Sequence, residues 1–321
     1  MAQPERFSDL PEYAFPRLRA LLSGIQPGGD PMVMTIGEPR HAIPEFVAPI
    51  MAASIADFGK YPPNEGTPAL LGAISGWIGR RHGLDVAPDR ITSLNGTREG
   101  LFNAALALCP EQKNGARPAI LIPNPFYQVY AVAAAAVGAE PVFVPATPET
   151  GHMPRYADLD PALLDRVTIA YLCSPANPQG AVADADYLEE LIALADRHDF
   201  LIFSDECYSE IWRDAPPPGA LAVATRMGLA DRVLGNVPGY QPVQGGFFLW
   251  LPVPPEIGDS ETATKKLWAE EGIQVLPGAY LSRDTATGNP GKNFLRVALV
   301  ATADETEAAL NRLKNCLYQG G

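Results

Sequence analysis

Between about residues 89 and 213, short and continuously apolar runs alternate with stretches whose apolar residues recur at helical spacing, and this alternation leaves few folds open. Residues 91–94 (Ile-Thr-Ser-Leu), 119–122 (Ala-Ile-Leu-Ile), 141–144 (Pro-Val-Phe-Val), 168–172 (Thr-Ile-Ala-Tyr-Leu) and 200–204 (Phe-Leu-Ile-Phe-Ser) read as strands. Between them, Leu101, Phe102, Ala105, Leu106 and Cys109 share one helix face, an Ala-rich helix runs to Val137, and residues 187–198 form another. Strands apolar at every position are buried on both faces, which requires helices on both sides of a mainly parallel sheet. The expected fold class is therefore α/β, with any ligand beyond the carboxyl ends of the strands. After Asp214 the pattern changes to Pro- and Gly-rich turns, followed by Gly-Gly-Phe-Phe-Leu-Trp-Leu at 245–251, a helix at 262–271 and a strand at 294–300. These predict a smaller α+β unit on which the Pro- and Gly-rich N-terminal arm packs. The large domain is expected over residues 45–230, and the small one over 1–44 and 231–321.

At 321 residues the chain is long enough for about two domains. A formal net charge of -13 argues against nucleic acid or an anionic membrane as partner, since both call for a basic face. An anionic substrate has to be captured by a local arginine against that field. Cys109, Cys173, Cys207 and Cys316 form no C-x-x-C pair and read as buried thiols of a reducing compartment. The charged N-terminus shows no secretory signal and no run reaches ~18 apolar residues, so a cytoplasmic protein is expected. His41, His82, His152 and His198 are scattered and no H-E-x-x-H occurs, which disfavours a metal site. Neither G-x-G-x-x-G nor a P-loop is present, which disfavours a generic nucleotide-binding protein.

The strand ends carry the candidate chemistry. Asn-Gly-Thr-Arg-Glu-Gly at 95–100 opens a helix after a strand, which presents free N–H groups to a phosphate; an ordinary helix start accounts for it equally. In Ser-Pro-Ala-Asn-Pro-Gln-Gly at 174–180, Asn177 between prolines presents its amide in a fixed direction, or the loop is simply a rigid turn. Asp205 and Tyr208 end the strand at 200–204, where a lone acid also serves as a helix cap.

Together and in this order, these elements resemble the class I/II aminotransferases, the fold-type I enzymes dependent on pyridoxal 5'-phosphate (PLP). The resemblance spans nearly the whole chain: Ile-Gly-Glu-Pro at 36–39, Tyr-Pro-Pro-Asn-Glu-Gly at 61–66, the motifs above, Pro-Phe-Tyr at 125–127, Val-Leu-Pro-Gly at 275–278 and Leu-Arg-Val-Ala at 295–298. Details such as Gly-Glu-Pro-Arg-His at 37–41 are most similar to the succinyldiaminopimelate aminotransferase branch. The resemblance implies that Asp205 pairs with the pyridinium nitrogen, that Tyr208 and Asn177 bond the ring phenolate oxygen, and that Phe126 stacks on the ring. It implies further that Gly96, Thr97 and Arg98 hold the phosphate, that Arg296 forks onto the substrate α-carboxylate, and that Gly37 lets the N-terminal arm close over it. Tyr61 would reach the phosphate of a neighbouring subunit, so a homodimer is implied, with amino acid and 2-oxo acid substrates.

The departure from the family concerns one lysine. After the Asp-x-x-Tyr strand the family has a strand ending in Ser-x-Ser-Lys, an arginine, a second strand and the start of a long helix. Here residues 222–229 run almost directly into 230–235, which reads as sequence beyond all of that. Lys60, Lys113, Lys265, Lys266, Lys292 and Lys314 are the six lysines, and none ends an apolar strand. The Schiff-base lysine, which would also move the proton, is therefore absent, and two strands are expected to be missing between the strands at 91–94 and 200–204. Three readings follow: an aminotransferase with an internal deletion and no turnover, a non-catalytic homologue that binds PLP or a partner, or a PLP-dependent β-lyase.

Overall fold

The computed structural model describes residues 5–8, 10, 12–38, 42–235 and 248–318. Pro39 and His41 of the motifs, and Gly245, Gly246 and Phe247 of the aromatic run, lie outside them. In chain order, α1 (Ala14–Leu22), β1 (Met32–Val33), α2 (Val47–Ala53), α3 (Pro68–His82) and α4 (Thr97–Leu108) lead into the alternating section. That section contains β2 (Ala119–Asn124), α5 (Gln128–Ala136), β3 (Glu140–Pro145), α6 (Pro161–Leu164), β4 (Val167–Cys173), α7 (Ala185–Arg197), β5 (Leu201–Asp205), α8 (Ala220–Arg226) and β6 (Val233–Gly235). The rest comprises β7 (Phe248–Pro252), α9 (Ser260–Glu271), β8 (Ile273–Gln274), β9 (Leu276–Pro277), β10 (Phe294–Ala298) and α10 (Ala303–Tyr318).

The large sheet has the order β3-β2-β4-β5-β6 and is parallel throughout. Its strands are apolar at successive positions because each feeds two cores. Ile120, Ile122, Ile169 and Tyr171 pack on the α5 side, while Leu121, Ala170, Leu172 and Ile202 pack on the α7 and α8 side. Local chemistry sets the helix starts: Asp184 accepts from the Tyr187 N–H at the head of α7, and Asp259 accepts from the Thr262 N–H at the head of α9.

The smaller unit is the antiparallel sheet β7-β10-β9, with α9 and α10 sharing its core. The N-terminal arm joins it: β1 pairs with β8, and Gly28 donates to the Trp268 carbonyl at 3.1 Å. A Cβ at Gly28 would lie 2.2 Å from the Ala269 oxygen and 2.3 Å from the Glu270 oxygen, so only glycine permits this approach to the end of α9. Gly28→Ala should therefore destabilise the chain by about 1–3 kcal/mol in urea unfolding. An unchanged midpoint would show that the arm is not seated on α9.

One expectation needs correction. Residues 91–94 form no strand; a 3-10 turn (Pro88–Arg90) leads into extended backbone, with Ile91 at φ -118°, ψ 132°. Extended chain becomes a strand only when a neighbouring strand takes its hydrogen bonds in series; here the Ser93 N–H goes to the Glu65 carbonyl, and no strand pairs with the stretch among the described residues. Residues 233–235, read as sequence beyond the missing strands, pair with β5 as β6, with Ile202 opposite Val233, because Val233 fills the core against α8. A three-residue strand thus takes the position beside β5, and the large sheet reaches residue 235.

Candidate functional site

β4 and β5 end side by side, with Cys173 opposite Asp205, so the segments after both strands open onto one region. Asp205 is 3% exposed and accepts a hydrogen bond from the Tyr130 hydroxyl at 2.7 Å, and from the Cys207 N–H at 3.4 Å. Tyr130, on α5, stacks on Tyr171 at 4.3 Å, and the Tyr171 hydroxyl is anchored to the Leu101 carbonyl. Burial, reinforced by the Asp205 carboxylate, holds the Tyr130 phenol well above its ordinary value, so it stays protonated and donates. Tyr130→Phe removes a buried donor to a carboxylate and should cost about 1–3 kcal/mol of stability in urea melts. A neutral result would mean that Asp205 does not depend on this bond.

In the loop after β4, the Asn177 amide Nδ2 donates to the Tyr208 hydroxyl at 3.0 Å. The Asn177 Oδ1 accepts from Arg296 Nη1 at 3.3 Å. The loop is closed by Ala176 N–H to Ala181 O and Gly180 N–H to Ala176 O, both 2.7 Å, with Gly180 at φ +73°. Arg296, on β10, also donates from Nη2 to the Thr35 carbonyl at 2.6 Å and lies 4.3 Å from the Phe248 ring centre. Gly37 follows two residues beyond Thr35 and is half-buried. Arg296 thus joins the N-terminal arm, the small sheet and the large-domain loop. Among the described residues it forms no salt bridge, and its buried Nε has no hydrogen-bond partner. Burial pulls its pKa down to about 10. A buried guanidinium without a counter-ion is a ready receptor for a carboxylate.

At the third edge of the region, Gly96 precedes α4 at φ +114°, which favours glycine, and no side chain caps the helix. Arg98 donates to the Tyr127 hydroxyl, and the Tyr127 ring meets that of Tyr130 at 5.8 Å. A row of contacts therefore runs from Arg98 to Asp205, with hydrogen bonds at its two ends and an edge-on contact of the Tyr127 and Tyr130 rings between them. Thr97 and Glu206 line a common cleft beside it.

Phe126 packs on Phe143 at 4.9 Å at the edge of the α5-side core and lines a recess shared with Tyr130 and Asn177, while its neighbour Tyr127 is the aromatic that meets Arg98. Tyr61, whose expected contact is on a neighbouring subunit, is fully exposed in this chain. Sequence reasoning passed over Tyr127 and Tyr130, although their i, i+3 spacing directly after β2 places both over the strand ends.

No lysine enters the region. Lys113 is fixed by the carbonyls of Val167, His198 and Asp199 at 2.6–2.7 Å, at the amino ends of β4 and β5. Lys266 pairs with Glu270 on α9, and Lys60, Lys265, Lys292 and Lys314 are exposed.

The sequence profile described as "Aminotransferase class I and II" matches residues 29–237. The chain belongs to the class I and II aminotransferase family. The crystal structure of an aminotransferase from Neisseria meningitidis superposes with a TM-score of 0.88 at 29% identity, covering 98% of this chain and 100% of that one. An aminotransferase from Helicobacter pylori gives 0.84 at 25% identity, over 96% and 99% of the two chains. The LL-diaminopimelate aminotransferase of Moorella thermoacetica is 25% identical over 397 positions, covering 99% of each chain. An alignment of 397 positions against 321 residues leaves at least 76 positions of that relative without a counterpart here. The family match stops at residue 237, two residues past the end of β6.

These aminotransferases are PLP-dependent transferases, and part of this site fits the cofactor. A buried carboxylate with a fixed donor suits a pyridinium nitrogen, the Asn177–Tyr208 pair offers donors to a ring oxygen, and the unpaired Arg296 suits a substrate carboxylate. The covalent half does not fit, because none of the six lysines reaches the region.

Proposed function

We propose that the region is the site of an enzyme moving an amino group between an amino acid and a 2-oxo acid, and that this chain retains binding without turnover. The observation that carries the reading is Arg296: buried, without a counter-ion, and hydrogen-bonded to the asparagine that also holds Tyr208. When bound, PLP supplies an electron sink for charge developing at a substrate α-carbon. Asp205, oriented by Tyr130, would hold a proton on the ring nitrogen. Asn177 and Tyr208 would orient the ring through its phenolate oxygen, while the Thr97 and Arg98 N–H groups at the head of α4 would take the phosphate. Arg296 would fix the α-carboxylate, closed over by the arm at Thr35 and Gly37. The names of the curated relatives support a diamino dicarboxylic acid such as LL-diaminopimelate as the substrate class.

A homodimer is part of this reading. The segment around α2 and the 3-10 turn Ile55–Gly59 buries none of its residues, and Ile43, Phe46, Ile50, Ile55, Phe58 and Tyr61 are all exposed. So continuous an apolar surface calls for a covering partner, and the family resemblance supports a second copy. The binding reading is tested by fluorescence titration of the purified chain with PLP. Saturable binding is expected, weakened roughly 10–100-fold by Asp205→Ala, the value of a charged hydrogen bond. Equal affinity of parent and variant would remove Asp205 from the site.

A further inference from the structure

At the carboxyl ends of β2 and β4 lies a small recess bordered by Phe126, Tyr130, Asn177, Gln179 and His152. Its free space is about 10 Å³, the room of one water-sized group. Two polar atoms of its lining side chains, His152 Nδ1 and Gln179 Oε1, are buried and have no hydrogen-bond partner among the described residues. His152 is held in place at a conformational cost. Its backbone has φ +61°, a left-handed conformation for which glycine is the usual residue, and its N–H is fixed on the Thr147 carbonyl at 2.7 Å. Its ring meets the Phe294 ring edge-on at 6.1 Å, and Phe294 stacks on Trp250 at 5.2 Å. The recess borders Arg296 by two independent routes. Phe294 and Arg296 are two residues apart on β10, so their side chains leave the same face about 7 Å apart. Asn177, from the opposite side, lines the recess and accepts from Arg296 at 3.3 Å.

A carboxylate on Arg296 therefore leaves the far end of an extended amino-acid side chain within reach of the recess. Gln179 Oε1 only accepts hydrogen bonds, and His152 Nδ1 accepts when the ring proton is on Nε2. Two acceptors around the volume of one heavy atom match a group of that size that donates and does not accept, which is a primary ammonium. The charges agree. Glu149 belongs to the same turn, Arg155 is already paired with Asp158 at 3.4 Å, and the chain as a whole carries -13, so the field favours a cation. We propose that His152 and Gln179 form a side-chain subsite that takes the second amino group of a diamino acid whose α-carboxylate rests on Arg296. This rests on the amino-acid reading given above and adds to it the residues that select the side chain. A bound water satisfies the same two atoms, so the test has to separate the two occupants.

Calorimetric titration of the whole chain with L-lysine, L-norleucine and the alcohol analogue of lysine does so, since the three differ only at the far end of the side chain. Lysine should bind at least roughly tenfold more tightly than either of the others. Gln179→Leu keeps the volume and removes the acceptor, and His152→Gly keeps the left-handed backbone and removes the ring; each should bring lysine and norleucine to equality. His152→Asn tolerates the same backbone and retains an acceptor, so it should preserve the preference. The preference is read within one variant, so a loss of stability does not imitate it. Equal binding of lysine and norleucine by the parent chain would leave only a water in the recess and overturn the proposal. It is equally overturned if the alcohol binds as tightly as lysine, or if the preference survives both Gln179→Leu and His152→Gly. Norleucine binding that survives Arg296→Met would fell the amino-acid reading and this subsite with it. Norleucine binding lost in that variant, with no preference for lysine in the parent, would fell the subsite alone.

Discussion

Treated with PLP and then sodium borohydride, the intact chain is expected to carry no pyridoxyl group on any lysine. With glutamate and a 2-oxo acid it should turn over at least ~10⁴-fold more slowly than the Neisseria meningitidis relative, the upper range for loss of one acid–base group. The reason is geometric as well as compositional. Lys113 is the lysine whose pKa burial lowers, which by chemistry alone would make it the most nucleophilic amine. Its ammonium, however, is held by three carbonyls at the amino ends of the strands. Asp205 lies at their carboxyl ends, so at ~3.3 Å per residue β4 alone separates the two by ~20 Å. Peptide mapping that finds a pyridoxyl-lysine at one defined position, together with transamination, would sink this account and the assignment of the site as lysine-free.

Arg296→Met is expected to abolish carboxylate binding and yet to raise stability. The guanidinium is charged and buried with no acid beside it, and burial pulls its pKa down to about 10. A base with a depressed folded-state pKa destabilises the fold wherever it is charged. The unfolded chain binds the proton more tightly, so native stability rises as pH climbs from about 10 toward the ordinary arginine value. At neutral pH the depression corresponds to a penalty on the order of 3 kcal/mol. Against that stand the bonds to the Thr35 carbonyl and to Asn177, about 1 kcal/mol each. Methionine should therefore gain about 1 kcal/mol, or roughly 2–4 °C in thermal midpoint. The variant should also lose the alkaline rise in stability. In the parent chain 2-oxoglutarate should raise the midpoint by supplying the missing counter-ion; in the variant it should have no effect. A less stable variant, or one that 2-oxoglutarate still stabilises, would show that Arg296 is structural and not a carboxylate receptor.

The family relationship was legible because its motifs are local. Each strand end carries its own chemistry in a few consecutive residues, and a rigid loop such as 174–180 presents Asn177 wherever the rest of the chain goes. The missing lysine was legible for the same reason, since an absence from a sequence needs no geometry. The part played by Tyr127 was not legible in this way. Phe126 and Tyr127 are adjacent aromatics, and which of them meets Arg98 depends on the turn between β2 and α5 and on Phe143 from the next strand. The stretch at 91–94 has the composition of a strand, but a strand also needs a neighbouring strand, and none pairs with it among the described residues.

What the sequence determined by itself is the parallel α/β framework, the order of the elements, the helix starts capped by Asp184 and Asp259, and the absence of an amine for covalent chemistry. These follow from the periodicity of apolar residues and from side chains acting on their own backbone. Only the tertiary structure decided that Tyr130 holds Asp205, 75 residues away, and that Arg296 meets Asn177 and Thr35 across 119 and 261 residues. It also decided that residues 233–235 join the large sheet and that Gly235 borders a cleft shared with Thr97 and Glu206. Contacts of that range are set by how two faces of a sheet are filled and by what is left over at its edge, and neither is written in any window of the chain.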